Sequence, residues 1–403
     1  MVLCAYMVST DKEKIEQILS RGVEQVYPKT DFVRSLLLKG EQLRVYLGVD
    51  PTGPTLHIGH MIPMRKLREF QDLGHKVIFL IGSFTAMIGD PDKTSVRVPL
   101  TKEQVQKNMD LYLSQASTIL DTKNSDLFEV RYNDEWLSKM NFEDVLNLAS
   151  KMTVQQMLER DMFDKRIKEG KPVYIHEFMY PLMQGYDSIA LGVDGEIGGN
   201  DQTFNMLAGR TLMKEMLQKE KFVITTKLLV DSSGNKMGKT EGNMITLADT
   251  PEDMFGKVMS WTDGMIASGF ELCTDVDAQE IQNIQEKLQD SNTNPKDIKL
   301  QLAHKIVETY TNTSNANEAQ AVWIQKFEKK EIPDELPEYE LAENLFETVM
   351  KYELVPSRSE YRRLLEGKAI HNLTDDTTIE DVGYIPETGT VIKIGKQKFF
   401  KIV

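Results

Sequence analysis

The sequence predicts an α/β fold with a parallel sheet, because two strand-like segments flank a helix-like one. Arg44 to Val49 alternates and is rich in β-formers, and Lys76 to Ile81 is a nearly continuous apolar run, so both are predicted to be buried strands. Between them, residues 60–73 carry apolar side chains at near-helical spacing, and Gly74 follows as a helix-ending signal. Strand, helix and strand in this length predict a right-handed βαβ unit, and such sheets bind ligands beyond the carboxyl ends of their strands.

The chain of 403 residues is too long for one hydrophobic core, which predicts several domains. We expect an α/β domain over residues 1–245 with a mostly helical insertion at about 126–170, a helical domain over 246–332, and a small α+β module over 341–403. Further expected elements are a strand over 222–230 and helices over 278–289 and 296–310.

The composition excludes several classes of protein. A net charge of −14 argues against a general nucleic-acid coat protein, although it leaves room for a local basic face. The longest mostly apolar stretch, residues 77–89, is shorter than the roughly 20 residues of a membrane helix, so no membrane span is expected. Cys4 and Cys273 lie far apart without partners at metal-ligand spacing, so we expect neither a disulfide framework nor a metal site. The first residues lack the pattern of a signal peptide, and together these features predict a cytoplasmic protein.

The strongest chemical signal is the segment from Pro51 to His60, between the first predicted strand and the predicted helix. A helix N-terminus offers unpaired backbone N–H groups and the positive end of the helix dipole, both of which favour phosphate. His57 and His60 can meet the same phosphate chain, and Gly59 lets a nucleotide approach the backbone closely. Two surface histidines at a helix start, or a metal-binding pair without a nearby third ligand, are the alternatives.

A second signal lies in the polar loop after residues 222–230, where the sequence is Lys236-Met237-Gly238-Lys239-Thr240. Two lysines on a glycine-containing loop can close over a triphosphate and stabilise the negative charge that builds on it during the reaction. Taken alone, the pentapeptide is better explained as a solvated loop. The two motifs together, in this order and at this separation, favour a shared nucleotide site.

Together the motifs resemble the class I aminoacyl-tRNA synthetases, whose signatures are His-Ile-Gly-His and Lys-Met-Ser-Lys-Ser. Gly238 and Thr240 stand where the second signature has serines. The segments similar to the bacterial-type tyrosyl-tRNA synthetases are Tyr46–Thr52, Ile88–Pro91, Tyr180–Asp187 and Gly198–Gln202. The resemblance runs from about Tyr46 to the C-terminus. It implies a homodimer with a Rossmann-type parallel-sheet catalytic domain, a helical insertion, a helical anticodon-side domain and an S4-like RNA-binding domain.

The resemblance implies a ligase that joins L-tyrosine to tRNA(Tyr), and with it a tyrosine pocket. Tyrosine differs from phenylalanine only by its phenol hydroxyl, so the pocket needs paired polar groups that are left unsatisfied when that hydroxyl is missing. The implied contacts are Tyr46 and Asp187 with the phenol, Asp90, Tyr180 and Gln184 with the ammonium, and Gln202 with the carboxylate and the reacting phosphate.

The implied reaction begins when the tyrosine carboxylate attacks the α-phosphate of ATP. That carboxylate is already ionised at neutral pH, so catalysis requires no general base. It requires positioning of the reactants and stabilisation of the developing charge. The products are tyrosyl adenylate and pyrophosphate, and the terminal ribose hydroxyl of the tRNA then accepts the tyrosine. We expect Mg²⁺ with the leaving pyrophosphate and no prosthetic group. The implied catalytic residues are His57, His60, Lys236 and Lys239, and the implied ATP contacts add Asp50, Thr52, Gly59, Gly199, Asp201 and Thr240.

The C-terminal residues resemble the S4 RNA-binding module in the segments 356–370 and 391–402. The first segment places basic residues along a helix that ends at Gly367, and the second interleaves lysines with the apolar residues of a strand. The expected RNA contacts are Arg358, Arg362, Arg363, Lys396 and Lys398. The alternative is a solvated strand face that binds no RNA.

Two other functions stay open at this point. A related synthetase for tryptophan, or a small-molecule ligase with the same His-x-Gly-His site, is disfavoured by the Tyr46 and Asp187 pair and by the S4-like tail. A non-catalytic RNA-binding protein on the same scaffold is disfavoured by the intact histidine pair and by Lys236 with Lys239.

Overall fold

The computed structural model describes residues 7–90, 100–230, 244–290, 292–327, 336–375, 377–395 and 398–403. The chain divides into two compact units, Met1–Trp323 and Ile324–Val403, here called the N-terminal and C-terminal units. Among the described helices, none has both the length and the apolar character that a membrane crossing requires.

A six-stranded mixed sheet organises the described part of the N-terminal unit, with strand order β1-β6-β5-β2-β3-β4. The strands are β1 (Val23–Tyr27), β2 (Arg44–Val49), β3 (Lys76–Ile81), β4 (Phe128–Tyr132), β5 (Gly195–Gly199) and β6 (Phe222–Thr226). Strands β4, β3, β2, β5 and β6 run parallel, whereas β1 pairs antiparallel with β6 at the edge. The predicted parallel sheet is therefore confirmed for five strands and completed by an antiparallel edge strand that was not predicted.

Helices cover both faces of this sheet, which explains why β3 is buried from Val77 to Ile81. The helices before the C-terminal module are α1 (Lys12–Ser20), α2 (Thr30–Leu37), α3 (Ile58–Asp72), α4 (Thr85–Ile88), α5 (Lys102–Met109), α6 (Tyr112–Ala116), α7 (Asp134–Leu137), α8 (Phe142–Ala149), α9 (Val154–Leu158), α10 (Asp161–Lys168), α11 (Met179–Leu191), α12 (Thr203–Leu217), α13 (Pro251–Met259), α14 (Ile266–Cys273), α15 (Ala278–Gln289), α16 (Pro295–Tyr310) and α17 (Thr313–Phe327). Short 3₁₀ helices occupy Ile175–Phe178, Asn200–Gln202 and Asp263–Met265.

The predicted strands 44–49 and 76–81 and the helix 278–289 have the bounds that the structure shows, as β2, β3 and α15. The segment expected to be mostly helical, at about 126–170, contains four helices from Asp134 onward, but it begins with strand β4, because Phe128–Tyr132 pairs with β3. The strand expected over 222–230 ends at Thr226.

Helix α3 links the sheet to the helices that follow it. Met64, Leu67 and Phe70 belong to the core beneath the sheet. Met61 and Ile62 belong instead to a core that α13, α14 and α16 build. The same helix therefore contacts two apolar cores, one on each side.

The C-terminal unit contains helices and a second sheet, in strand order β7-β11-β10-β8-β9 among the described residues. Its elements are β7 (Glu338–Tyr339), α18 (Leu345–Lys351), α19 (Arg358–Glu366), β8 (Ile370–Asn372), β9 (Thr377–Thr378), β10 (Val391–Ile394) and β11 (Lys398–Ile402). The predicted helix that ends at Gly367 is α19. Ile392 and Ile394 on β10 are buried and Lys393 between them is not, as the alternating sequence predicts.

His75, between α3 and β3, is a fully buried histidine whose chemistry links stability to pH. Its Nδ1 accepts a hydrogen bond from the Leu43 backbone N–H at 3.2 Å, and among the described residues its Nε2 has no partner. Burial lowers the pKa of His75 to about 4, from the usual value of about 6.5. The folded protein therefore holds this ring neutral in a pH range where the unfolded chain protonates it.

We expect the N-terminal unit to lose stability as the pH falls from about 6.5 to 4, because only the unfolded chain binds the His75 proton there. The loss attributable to His75 is about 3 kcal/mol when complete. The measurement is urea unfolding at several pH values, followed by tryptophan fluorescence, since all 3 tryptophans lie in this unit. His75→Gln should flatten the dependence, and an unchanged slope in that variant would contradict the assignment.

Candidate active site

A cavity of about 300 Å³ lies at the carboxyl ends of β2, β3 and β5, bordered by the start of α3 and by α11. This is the edge at which parallel sheets bind their ligands. The predicted site residues that line it are Tyr46, Asp50, Thr52, His57, Gly59, His60, Asp90, Tyr180, Gln184, Asp187, Gly199, Asp201 and Gln202. Residues predicted separately for an amino acid and for ATP thus share one cavity.

The two histidines form the first turn of α3 and its cap. His57 is the N-cap residue, and its Nδ1 accepts a hydrogen bond from the Gly59 N–H at 3.2 Å. The Nδ1 of His60 accepts one from the His57 N–H at 3.2 Å, and the two ring centroids lie 3.8 Å apart. Since each Nδ1 accepts, a neutral ring carries its proton on Nε2, which suits donation to a phosphate oxygen. The positive end of the α3 dipole lies at the same place.

Tyr46 and Asp187, predicted to hold a phenol, are both buried polar groups. The Tyr46 hydroxyl on β2 is hydrogen-bonded to the Ser188 Oγ at 2.9 Å. The Asp187 carboxylate on α11 accepts hydrogen bonds from the Trp136 Nε1 at 2.8 Å and from the Asn133 Nδ2 at 3.3 Å. Burial raises the pKa of Asp187 well above its usual range, although these two donors oppose the effect. A ligand hydroxyl that donates to Asp187 would favour its charged form further.

Asp50 is held by two hydroxyl groups. Its Oδ2 accepts from the Tyr180 hydroxyl and its Oδ1 from the Thr85 Oγ1, each at 2.7 Å. Burial raises the pKa of Tyr180, so its phenol keeps the proton that it donates. A Cβ at Gly82 would lie 1.9 Å from the Asp50 Oδ1, so only glycine lets the carboxylate sit here. The Tyr180–Asp50 hydrogen bond therefore joins a residue predicted to contact ATP, Asp50, to one predicted to contact the ammonium of the amino acid, Tyr180.

The Asp90 carboxylate also accepts hydrogen bonds from two side chains. Its Oδ1 accepts from the Arg160 Nη2 at 2.7 Å, and its Oδ2 accepts from the Gln202 Nε2 at 2.9 Å. The Gln202 Oε1 in turn accepts from the Asn205 Nδ2 at 2.9 Å. The structure therefore brings Asp90 and Gln202 into direct contact, as expected for residues of one amino-acid site, and adds a guanidinium that the sequence did not indicate.

Several residues of the site were not predicted. Thr85 and Asn133 line the cavity, and Trp136 supports Asp187 from outside it. Asn133 directly follows β4, so recognising Phe128–Tyr132 as a strand would have placed it at the carboxyl edge of the sheet. Ser188 carries no such signal, because a serine within a helix is unremarkable in sequence.

The remaining predicted residues fall into two groups. Lys236, Lys239, Thr240 and Lys396 fall outside the described residues. Arg358, Arg362 and Arg363 are exposed on α19, and Lys398 is exposed at the start of β11. The Arg358 guanidinium lies over the Phe346 ring at 5.8 Å, and Arg363 pairs with Glu360 at 2.7 Å.

Comparison with known proteins identifies the family. Residues 38–328 match the family model described as tRNA synthetases class I (W and Y). A tyrosine–tRNA ligase of Thermotoga maritima is 43% identical over 399 residues, which cover 98% of either chain. One from Carboxydothermus hydrogenoformans is 42% identical over 403 residues, covering 96% of this chain and 97% of the relative.

Solved structures agree in fold. A C-terminally truncated mitochondrial tyrosyl-tRNA synthetase of Aspergillus nidulans superposes with a TM-score of 0.65 at 24% identity, covering 79% of this chain and 95% of that one. The tyrosyl-tRNA synthetase of Archaeoglobus fulgidus complexed with L-tyrosine gives 0.60 at 21% identity, covering 76% and 99%. The resemblance predicted from the motifs is confirmed, and the chain belongs to the class I tRNA synthetase family and, within it, to the bacterial-type tyrosyl-tRNA synthetases.

Proposed function

We propose that this cavity activates L-tyrosine with ATP to give tyrosyl adenylate and pyrophosphate, and that the protein then transfers the tyrosine to the 3′ end of tRNA(Tyr). The observation that carries the proposal is the pair of buried polar groups, Tyr46 and Asp187, in the cavity that the two α3 histidines also line. An apolar amino acid would leave that pair unsatisfied.

The tyrosine phenol donates to the Asp187 carboxylate and accepts from the Tyr46 hydroxyl in this proposal. The ammonium lies toward Asp90, Tyr180 and Gln184, where carboxylates and oriented dipoles suit a cation. Asp50 reinforces that end, because its carboxylate is hydrogen-bonded to Tyr180.

The α-phosphate is attacked by an already ionised carboxylate, so activation depends on alignment and on stabilising the charge that builds on the phosphates. His57, His60 and the N-terminus of α3 take part of that charge, with Thr52, Gly59 and Gly199 close to the nucleotide and Asp201 toward the adenosine. Mg²⁺ enters with ATP and is held mainly by the triphosphate, as is usual for this ion.

Lys236, Lys239 and Thr240 complete the phosphate site in this proposal. Leu229, shortly before them in the chain, lines the cavity. Ile245, shortly after them, accepts a hydrogen bond from the Ile58 N–H at 2.9 Å, at the first residue of α3. Both flanks of the segment are therefore close to the histidine pair, which supports a joint role for the two motifs.

The tRNA and a second subunit complete the assembly that we propose. Residues 1–245 form the catalytic domain with its insertion near 126–170, residues 246–332 face the anticodon side, and residues 341–403 form an S4-like RNA-binding domain. A homodimer would cover the exposed apolar side chains of Phe142, Leu146, Val154 and Ile175, which are 77%, 55%, 61% and 80% exposed. The cytoplasm is the proposed location.

Exchange of labelled pyrophosphate into ATP tests the activation step directly. Purified protein with Mg²⁺ should catalyse exchange with tyrosine and not with phenylalanine or tryptophan, because only tyrosine satisfies both Tyr46 and Asp187. Exchange with tryptophan would overturn the assignment of the pocket. No exchange with any of the three would favour the RNA-binding alternative.

Gly82→Ala should lower kcat/KM for tyrosine-dependent exchange by about 100-fold, because displacing a positioning group by an ångström has effects of this size. The new Cβ would lie 1.9 Å from the Asp50 Oδ1 and 2.5 Å from the Thr85 Oγ1. Gly256→Ala on α13 is the matched control, since a Cβ there meets nothing within 4 Å. Equal activity of the two variants would show that Asp50 does not need its observed place.

Arg358→Gln with Arg362→Gln should raise KM for tRNA about tenfold and leave pyrophosphate exchange unchanged, because the two exposed guanidiniums lie one turn apart on α19. The salt dependence of the tRNA KM should also weaken. The measurement is steady-state aminoacylation at two ionic strengths. Lys12→Gln with Lys14→Gln removes the same charge from exposed sites of α1 and controls for net charge, and an equal effect of both pairs would refute a specific role for α19.

A further inference from the structure

A buried ion pair at the wall of the cavity, which Glu196 lines, has no part in the function proposed above. Lys221, which precedes β6, and Glu196 on β5 are 0% and 2% exposed, and the Lys221 ammonium donates to the Glu196 Oε2. A buried ion pair is usually no more stable than an apolar pair of the same volume, so stability alone gives no reason for it. Its hydrogen bonds lead instead to two residues that line the cavity.

The first connection runs to Tyr46. The Lys221 Nζ donates to the Ser188 Oγ at 2.9 Å, and that oxygen lies 2.9 Å from the Tyr46 hydroxyl. An ammonium can only donate, so Ser188 accepts from Lys221 and has its own hydrogen available for the Tyr46 oxygen. With its oxygen occupied in this way, Tyr46 can direct its hydrogen to a ligand.

The second connection runs to Gln184. Its Nε2 donates to the Glu196 Oε1 at 3.1 Å. A carboxylate can only accept, so the amide must face Glu196 with its NH₂ group. The amide oxygen of Gln184 is then the atom left for the cavity, and an oxygen is what an ammonium requires.

Lys221 also limits the competition of Glu196 for the Tyr46 hydrogen, which Glu196 attracts both by its charge and by hydrogen bonding. The charges of Glu196 and Asp187 reinforce burial in raising the pKa of Tyr46, so its phenol keeps its hydrogen. An unpaired Glu196 would attract that hydrogen away from the cavity. With Lys221 bonded to Oε2 and Gln184 to Oε1, both carboxylate oxygens already have donors.

We propose that the Lys221–Glu196 ion pair is a positioning pair that sets hydrogen-bond polarity in the amino-acid site, so that Tyr46 presents a hydrogen and Gln184 presents an oxygen. The inference rests on the proposed tyrosine pocket and deepens it. Neither Lys221 nor Glu196 needs to touch the phosphates or the reacting carboxylate. Their effect is therefore on the choice of amino acid and not on the use of ATP.

The test is the ratio of kcat/KM for tyrosine to kcat/KM for phenylalanine in pyrophosphate exchange. Lys221→Met with Glu196→Gln, a neutral pair of similar volume, should lower this ratio about tenfold, the size expected for one misdirected hydrogen bond, with KM for ATP unchanged. Ser188→Ala removes the hydroxyl that links Lys221 to Tyr46 and keeps the ion pair itself. It should lower the ratio about threefold, and it guards against misfolding of the pair variant. Lys299→Met is the matched control: it removes another buried lysine, bonded to the Trp261 carbonyl oxygen at 2.6 Å, and should leave the ratio unchanged.

A double-mutant cycle separates positioning from general packing. In a Tyr46→Phe background, Ser188→Ala should cause no further loss in the ratio, because the group it orients is gone. An unchanged ratio in the pair variant, or an independent loss from Ser188→Ala in the Tyr46→Phe background, would overturn the inference. Failure of the unaltered protein to exchange with tyrosine would instead overturn the proposed function, and this inference with it.

Discussion

The site depends on how helix α3 is held between two apolar cores. Its first turn brings His57 and His60 to the cavity. Directly behind them, Met61 packs among the helices that follow the sheet, and Phe70 on the other side packs beneath the sheet. A helix held by close packing on two sides cannot rotate without opening cavities in one core or the other. The two histidine rings and the positive end of the helix dipole therefore keep their place at the cavity without any ligand to hold them.

The carboxylates of the site show the same organisation before substrate binds. Asp50, Asp90 and Asp187 each accept two hydrogen bonds from neighbouring side chains. Such partners fix the orientation of each carboxylate, so little reorganisation is needed when an amino acid enters. Arg160 pairs with Asp90 at 2.7 Å, so part of the charge of that carboxylate is already offset before any ligand binds.

Sequence patterns predicted strands β2, β3 and β6, and they missed both edge strands and the glycine-rich central strand β5. Strand β3 is buried on both faces, so its consecutive residues are apolar and the strand can be recognised from the sequence. Strands β1 and β4 lie at the edges, and apart from the buried Phe128 their side chains are partly buried or exposed, so their local patterns are correspondingly weak. The motif residues were found because their chemistry is local to short segments. Ser188, Glu196 and Lys221 could not be found in this way, because their hydrogen-bond polarity arises only when α11, β5 and the start of β6 are packed together.

Recognition and reaction place different demands on the two ends of the cavity. In the proposed function the end near Tyr46 distinguishes one hydroxyl, which polar groups held in place by neighbouring side chains do well. In the proposed function the N-terminus of α3 binds the phosphates, and because it is equally fixed it stabilises the charge that builds on them without reorganising. Raising kcat requires groups that bind the phosphates more strongly as negative charge builds on them in the transition state. The proposed function gives that role to Lys236 and Lys239 as well, and two described residues on either side of them in the chain, Leu229 and Ile245, pack beside the first turn of α3.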